Sequence, residues 1–504
     1  MIRSMLGRKI ILGLGLLSMA ATSQAQYHED VFRYSRQNYQ GSARSMGLAG
    51  AWGAVGADLS SASINPAGLG LYRRSELMSS VSLNSFSANT TYGGTESSDY
   101  RLGFNIPNFG IAITNLSQYK GKSATEGLVS YTFAFGVNRL SDYQQNIEFS
   151  GANRNTTVGD FLAQSAAGRD SAVFLGTDYD NTLAALAWRV RLIDNNGSAN
   201  SYASIQKLQG DTNYFVNHFQ QIKTRGRSSE WYVSGGMNLS NILYLGASLV
   251  FQDVSFNSRS TLNEDLTSST LNNNIYKSSS IYQYVNTKGS GVGAKIGAII
   301  RPIEFLKIGA SYHTPVILNL TDFYRNELTI VYTNGQTYTE PTENREDYFE
   351  YQIRTPSRYN VSGAVTIQKF AVLSVDYEQV DYSTGKLSAE NYSYAKENSR
   401  VQSLYDKAVN IRTGIEIKHN DLRFRAGYAM LGSPFKQSYI SMEDGRRNLI
   451  SAGFGWIYDQ DYFFDIAVNR VSGKDIYSPY DGANQNAINQ FERYMFTFGG
   501  GIRF

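Results

Sequence analysis

Read backwards from its last residue, the chain alternates. Phe504, Ile502, Gly500, Phe498, Phe496 and Tyr494 fall on one face, and Arg503, Gly501, Gly499, Thr497, Met495 and Arg493 on the other. Strand side chains point alternately to opposite faces, so a period of two predicts a half-buried strand. The pattern recurs upstream. Leu422, Phe424, Ala426, Tyr428 and Met430 oppose Arg423, Arg425 and Gly427. Val292, Ala294, Ile296, Ala298 and Ile300 oppose Gly293, Lys295 and Gly297, and Val409 to Ile417 and Ile450 to Trp456 repeat it. One face is apolar and often aromatic, the other small, polar or charged. That division suits a wall with lipid outside and a wet lumen inside.

The connections fall into two classes. Tight turns are expected at Ser240-Asn241, Pro302 to Glu304, Gln368 to Phe370, His419 to Asp421 and Asp459 to Asp461, with a longer one around Gly121. Long polar stretches lie near 89–98, 141–228, 258–278, 316–350, 383–406, 432–446 and 471–491. Short inner turns and long outer loops are the asymmetry of an outer-membrane barrel. If both ends of the barrel are periplasmic, the strand count is even. Counting back from the C-terminus, the strand near Glu230 descends, so an odd number must precede it. Strands near 77–88, 99–116 and 127–140 satisfy this, and the candidate near 212–225 then joins the first large outer loop. The expectation is an all-β fold: a 14-stranded antiparallel transmembrane β-barrel over residues 76–504, with a long outer loop near 141–228.

Composition narrows the class. Aromatics make up 13% of the 504 residues, 36 of them tyrosine, charged residues only 18%, and cysteine is absent. No disulfide framework or zinc knuckle is then available, and a net charge of +3 points to no nucleic acid. The negative mean hydropathy excludes a helical membrane bundle but not a barrel, where only alternate residues need be apolar. Arg3, Arg8 and Lys9, the apolar run Ile10 to Ala20 and Ser23-Gln24-Ala25 read as a signal peptide over residues 1–25, with the mature chain starting at Gln26. The expected location is the outer membrane of a Gram-negative bacterium.

Residues 26–75 do not alternate. Ser42 to Ala54 is rich in small residues, and Asn65-Pro66-Ala67-Gly68-Leu69-Gly70 follows. Small residues let backbones pack closely, and Asn-Pro and Gly mark turns. Fourteen strands leave a lumen between a side-chain-filled eight-stranded barrel and an open porin, so this segment is expected to plug it as a hatch. The stretch Gly41 to Gly70 resembles the N-terminal hatch of the FadL/TodX family of outer-membrane transporters for hydrophobic compounds. Gly127 to Leu140, Gly289 to Pro315 with Arg301-Pro302, Thr355-Pro356 and Ser374 to Tyr377 resemble the same family. The resemblance implies a fourteen-stranded barrel with a hatch, capture of hydrophobic molecules by outer loops and lateral release through the wall. Some relatives are described as haemin receptors, and others serve protein secretion as shuttles. The terminal Phe504 resembles the signal read by the barrel assembly machinery.

Candidate sites follow. In the long loop, Val158, Phe161, Leu162 and Ser165 have helical spacing, as do Leu183, Leu186 and Val190 beside Trp188. Phe161, Leu162, Leu186 and Trp188 are expected either to line a groove for a fatty-acid-like ligand or to fold the loop onto itself. The hatch turn is Asn65, Pro66, Ala67 and Gly68. Lumen-facing Lys295, Lys307, Arg412, Arg423, Arg425 and Arg503 oppose Asp376, Glu378, Glu416 and Asp465. These charges either draw a carboxylate or pair with one another and anchor the hatch. Haem would need His28, His218, His313, His419 or a tyrosine. An enzyme reading finds only Ser311 near His313 and no G-x-S-x-G elbow. The expected protein is a monomeric passive channel without metal or cofactor. Its partners are a hydrophobic small molecule, outer-membrane lipid and lipopolysaccharide. A secretion shuttle or a haemin receptor is the alternative.

Overall fold

The computed structural model describes residues 28–119, 122–175, 182–211, 213–342, 348–368, 370–437, 445–480 and 482–504. The signal peptide and the expected start at Gln26 lie outside the described residues.

The alternating segments close on themselves into a fourteen-stranded antiparallel barrel. Its strands are β1 (Glu76–Tyr92), β2 (Thr95–Leu116), β3 (Leu128–Asp142, continued by Gln145–Arg154), β4 (Tyr214–Leu239), β5 (Leu243–Ser269), β6 (Tyr276–Ile303) and β7 (Leu306–His313 and Ile317–Tyr332). They continue with β8 (Tyr348–Arg354 and Arg358–Ile367), β9 (Ala371–Asp381), β10 (Lys407–His419), β11 (Leu422–Leu431), β12 (Arg447–Tyr458), β13 (Tyr462–Tyr477) and β14 (Ala487–Arg503). Closure comes from β1 pairing with β14, in register from Glu76↔Arg503 to Thr91↔Ile488. Closing the sheet removes the edges that lipid could not satisfy. The alternation sorts as expected: Ile296, Phe424, Tyr428, Phe454, Phe496 and Phe498 are exposed on the outside, while Lys295 and Arg425 are buried within. Trp456, Tyr458, Tyr462 and Phe464 form an outward aromatic girdle beside the inner turn after β12. The tight inner turns fall where expected, and Ser240, Asn241, Gln368, Asn420, Asp459 and Gln460 adopt positive φ in them.

The outer side differs from the sequence expectation in several places. The stretches 258–278, 316–350 and 471–491, expected as loops, are in large part the outer ends of β5 and β6, of β7 and β8, and of β13 and β14. Residues 89–98 are not a long loop, because β1 and β2 run on to a two-residue turn at Gly93-Gly94, both at positive φ. Residues 212–225 do not belong to the outer loop either. From Tyr214 they form the upper half of β4, paired with both β5 and the continuation of β3. The loop between β3 and β4 is therefore shorter than 141–228. Polar sequence masked these extensions, since above the membrane a strand needs pairing partners but no lipid-facing side chains. Strands β5 and β6 hold 27 and 28 residues, whereas a tilted membrane strand needs about 9–11. The excess amounts to roughly 50 Å of strand length standing outside the bilayer. Strands β7 and β8 are both interrupted at a proline, Pro315 and Pro356, which cannot donate to a ladder. The breaks lie side by side and are stitched by Val316 N donating to Thr355 Oγ1 and Thr355 N donating to Val316 O.

Inside the wall, helix α1 (His28–Ser35) sits high in the lumen against β5, β7, β8 and a helix of the β9–β10 loop (Ala395–Leu404). The chain then descends through α2 (Ala43–Met46), α3 (Ser61–Ile64) and a 3-10 turn (Pro66–Leu71) to enter β1. Helices α4 (Val158–Ala166) and α5 (Leu183–Arg189) of the first large outer loop pack onto the inward faces of β5, β6 and β7 and form a lid.

The hatch fits because the facing wall is small. A Cβ at Gly246 would lie 2.3 Å from the Pro66 carbonyl, and one at Gly297 would lie 1.9 Å from Asn65 Oδ1. Gly246→Val is therefore expected to cost about 1–3 kcal/mol by overpacking, read as a lower urea midpoint of the folded barrel. Gly363→Val, at a glycine with nothing within 4 Å, should leave that midpoint near wild type.

Candidate functional site

A hatch that threads a barrel brings polar backbone into a water-poor interior, and each buried carbonyl there needs a donor. The wall supplies them. Asn469 Nδ2 donates to Met46 O (2.8 Å), Ser451 Oγ to Gly47 O (3.0 Å) and Ser374 Oγ to Ala51 O (2.9 Å). Lys307 Nζ donates to Val55 O (2.7 Å) and Ser248 Oγ to Ala62 O (3.0 Å). Two hatch amides are met in the opposite sense, with Asp376 Oδ2 accepting from Trp52 N (3.0 Å) and Gly53 N (2.8 Å).

Lys295 donates to Ser63 O (2.9 Å) and to Glu230 Oε1 (2.6 Å), and the same oxygen accepts from Ser63 Oγ (2.6 Å). Asn65 Nδ2 donates to Gly53 O (2.8 Å) and its Oδ1 accepts from Ala67 N (3.2 Å). Pro66 and Ala67 pack on Gly246, and Gly68 packs on Ser61 and Gly56. The hatch turn is thus a buried seam with the wall. Ser311 Oγ and His313 Nε2 both lie 2.9 Å from Ile64 O, so that pair is occupied in holding the hatch.

The other lumen charges also meet. Arg425 bridges Glu416 and Asp465 at 2.6 Å each. Glu378 pairs with Arg358 (3.3 Å) and Arg412 (3.5 Å) and accepts from Asn410 Nδ2. Arg423 lies at the inner rim, donating to the Asn420 and Leu422 carbonyls. Above the hatch, a cavity of about 50 Å3 is bounded by Gln37 to Gln40, by Met46, Leu449, Val471 and Phe491, and by Arg412, Arg447 and Arg493. Of these arginines, the sequence named Arg412 among the lumen charges and placed Arg493 on the inward face of the last strand.

The wall beside that cavity is incomplete. The β2–β3 ladder runs from Leu116↔Ser130 only to Asn108↔Asn138. Above it β2 continues to Thr95 paired with β1 alone, while β3 turns inward so that Arg139 bridges to Gln40 of the hatch. Pro107 stands at the break, where the β1–β2 register also slips between Ser80 and Ser82. A strand proline is confined to an edge or a bulge, and it was the one local signal for this break. Side chains span the gap. Asn105 Nδ2 lies 3.0 Å from Asp142 Oδ2 and 3.2 Å from Gln40 Oε1, and Arg101 reaches Gln144 and Asn146. Arg493 holds the inward segment by the Asp142 and Gln144 carbonyls. Tyr100, Leu102, Phe104 and Ile106 line the outer face of this stretch of β2, which is paired on one side only.

The loop residues expected to form a groove come together in the core of the lid. Leu162 and Leu186 are fully buried, while Phe161 and Trp188 are partly buried against the same cluster. The lid is fastened through Glu264, which accepts from Val158 N (2.9 Å) and Tyr276 OH (3.1 Å) and contacts His218 Nε2 (2.9 Å). Burial and Glu264 hold the Tyr276 hydroxyl well above its ordinary pKa, so it stays a donor. Tyr92 OH takes the other nitrogen of His218 at 2.7 Å. Both ring nitrogens are engaged inside packed protein. His28 begins α1 and His419 ends β10.

A barrel with a hatch fastened in its lumen, a lid above it and a break in its wall defines a membrane transport channel. Residues 230–497 match the model of the outer membrane protein transport family (OMPP1/FadL/TodX). This covers more than half of the chain, and the chain belongs to that family. Among solved structures, a FadL homologue of Pseudomonas aeruginosa matches with a TM-score of 0.53 at 13% identity, over 93% of this chain and 99% of that one. The toluene transporter TodX of Pseudomonas putida matches with a TM-score of 0.48 at 11% identity, over 92% of this chain and 98% of that one. A search of curated proteins gives no match.

Breaking the buried Lys295–Glu230 pair should cost more than removing it whole. Lys295→Met is expected to destabilise the barrel by roughly 3–5 kcal/mol, and Lys295→Met with Glu230→Gln by clearly less, because no unpaired charge then remains. Urea unfolding of the refolded barrels measures both.

Proposed function

We propose that the protein takes up hydrophobic molecules with an acidic end, of the long-chain fatty acid type, and releases them sideways into the membrane through the break between β2 and β3. The reading rests chiefly on the wall itself. The axial route is filled by a hatch bonded to many strands, whereas the route past Asn105 and Asp142 has no backbone ladder across it and is bridged by side-chain hydrogen bonds. Side chains change rotamer far more readily than a paired sheet opens.

The cavity above the hatch has the chemistry for such a ligand. Its guanidinium groups suit a carboxylate, and Met46, Leu449, Val471 and Phe491 give an apolar wall. At about 50 Å3 it holds only one or two water-sized groups. A chain-bearing ligand therefore enters by displacing Gln37 to Gln40. Those residues also grip the inward segment of β3, through Gln40↔Arg139 and through Asn38 N donating to Ser141 Oγ. Ligand arrival and loosening of the wall are thereby linked. Outside, the stretch of β2 paired with β1 alone already presents Tyr100, Leu102, Phe104 and Ile106 to an emerging apolar chain. The lid residues Phe161, Leu162, Leu186 and Trp188 contribute only if the lid opens.

The chain has no native cysteine, so an engineered pair reports cleanly. Asn105→Cys with Asp142→Cys, oxidised, should lower uptake of a fluorescent fatty acid about tenfold or more, and reductant should restore it. Full uptake by the cross-linked barrel would rule out this exit.

A further inference from the structure

Strands β4 and β5 pair without a slip from Leu239↔Leu243 to Val216↔Leu266, so the period of two fixes which side chains share the outer face. Trp231 and Phe251, directly opposite one another and exposed, close the apolar band on these two strands. Above them the outward positions are Ser229, Arg227, Arg225 and Lys223 on β4 and Asp253, Ser255, Asn257 and Arg259 on β5. On β6, Lys288 lies opposite Ser255 and Tyr284 opposite Arg259. Lys223 therefore stands directly across from Arg259, with Arg225 two residues below it on β4. Like charges directly opposed in a sheet repel one another. Arg225, Arg259 and Lys288 are exposed and Lys223 is half-buried, and among the described residues none of the four pairs with a carboxylate. Arg259 rests 5.6 Å from the centre of the Tyr284 ring. The carboxylates of this face stand at its margins. Asp253 lies 4.0 Å from Arg227, Glu148 accepts from Gln221 Nε2 (3.0 Å), Glu327 pairs with Arg325 (3.4 Å), and Glu350 is two strands away from Lys288. Asn146, opposite Lys223, is held by Arg101 of β2 (3.2 Å), on which Asp99 and Asp142 act.

The height of this cluster identifies its occupant. Arg227 lies four residues above the Trp231–Phe251 pair, and Lys223 and Arg259 eight. On a strand tilted by about 40° that is a rise of roughly 10–20 Å. Phospholipid headgroups reach only about 5–8 Å beyond the hydrocarbon, so they end below Lys223 and Arg259. An anionic lipid meets these cations only if sugars lift its charge that far. We propose that the outer face of β4 and β5 around Lys223, Arg225 and Arg259 binds the phosphorylated saccharide head of lipopolysaccharide. A phosphate seated between Lys223 and Arg259 relieves the repulsion between them, and the guanidinium of Arg225 offers it a planar fork of donors. The acyl chains of the same molecule lie lower, against Trp231, Val233, Leu249 and Phe251, all exposed on the outer wall. Binding there rests on neither the cargo nor the lateral exit.

The test uses the full mature barrel, refolded in lipid-free detergent and checked for folding by heat-modifiable gel migration. Native mass spectrometry then measures retention of a rough lipopolysaccharide with a phosphorylated core against the same molecule stripped of its phosphates, with divalent cations chelated throughout. Wild type should retain the phosphorylated form about tenfold better, and Lys223→Gln with Arg259→Gln should lose that preference. Arg191→Gln, which removes an exposed arginine of the lid, should keep it. Equal retention of the two forms by wild type would overturn the proposal, and so would undiminished preference in the folded double variant. An equal loss in Arg191→Gln would reveal a general effect of charge and overturn the assigned site. Thermal stabilisation by inorganic pyrophosphate that needs Lys223 and Arg259, with no lipopolysaccharide retained, would overturn the lipid as the source of the phosphate.

Discussion

The structure depends on satisfying a peptide backbone inside a barrel too wide to be filled by its own side chains. Eight strands can be packed from within, but fourteen leave a lumen that something else must occupy. Here the occupant is the chain's own N-terminal segment. Its carbonyls are met by donors spaced around the wall, from Ser248 on β5 through Lys307, Ser311 and His313 on β7 to Ser374 on β9, Ser451 on β12 and Asn469 on β13. Glycines on the same wall let the two backbones approach. This pairing of small residues with scattered donors turns a loose leader into a plug.

Once the axis is sealed in this way, any path must be found elsewhere, and the wall has one irregular seam. Pro107 and the register slip beside it leave the upper part of β2 paired on one side only. The polar side chains that close the gap also touch the hatch, through Gln40, Asn105 and Asp142. The hatch therefore works in two ways: below, it is bonded rigidly to the wall, and above, it is a small latch on the inward turn of β3. The lid adds a third layer, with its own apolar core and a buried Glu264–His218 contact fastening it to the extended strands.

Much of this was legible in the sequence. Alternation located the membrane parts of β6, β10, β11, β12 and β14, the parity of ascending and descending segments gave fourteen, and the Ser42–Gly70 run marked the hatch. The errors concern residues whose state depends on a partner. The stretch 212–225 is polar and looks like loop, but it lies in β4 because β5 and β3 pair with it on either side. The lid residues Phe161, Leu162, Leu186 and Trp188 were correctly grouped by helical spacing. Spacing could not say whether the group faced a groove or its own interior, because both need an apolar face.

The lumen charges show the same division. Their presence on the inner face followed from a period of two, which is a property of each strand alone. Which charges meet was decided only by the tertiary structure. Lys295 found Glu230 across the β4–β6 region, and Arg425 found Asp465 across β12. By itself, then, the sequence determined the barrel, its strand number and its plug, because these rest on local periodicity and chain length. The break in the wall, the closed lid and the pairing of charges were decided by contacts between segments far apart in the chain, which no local pattern encodes.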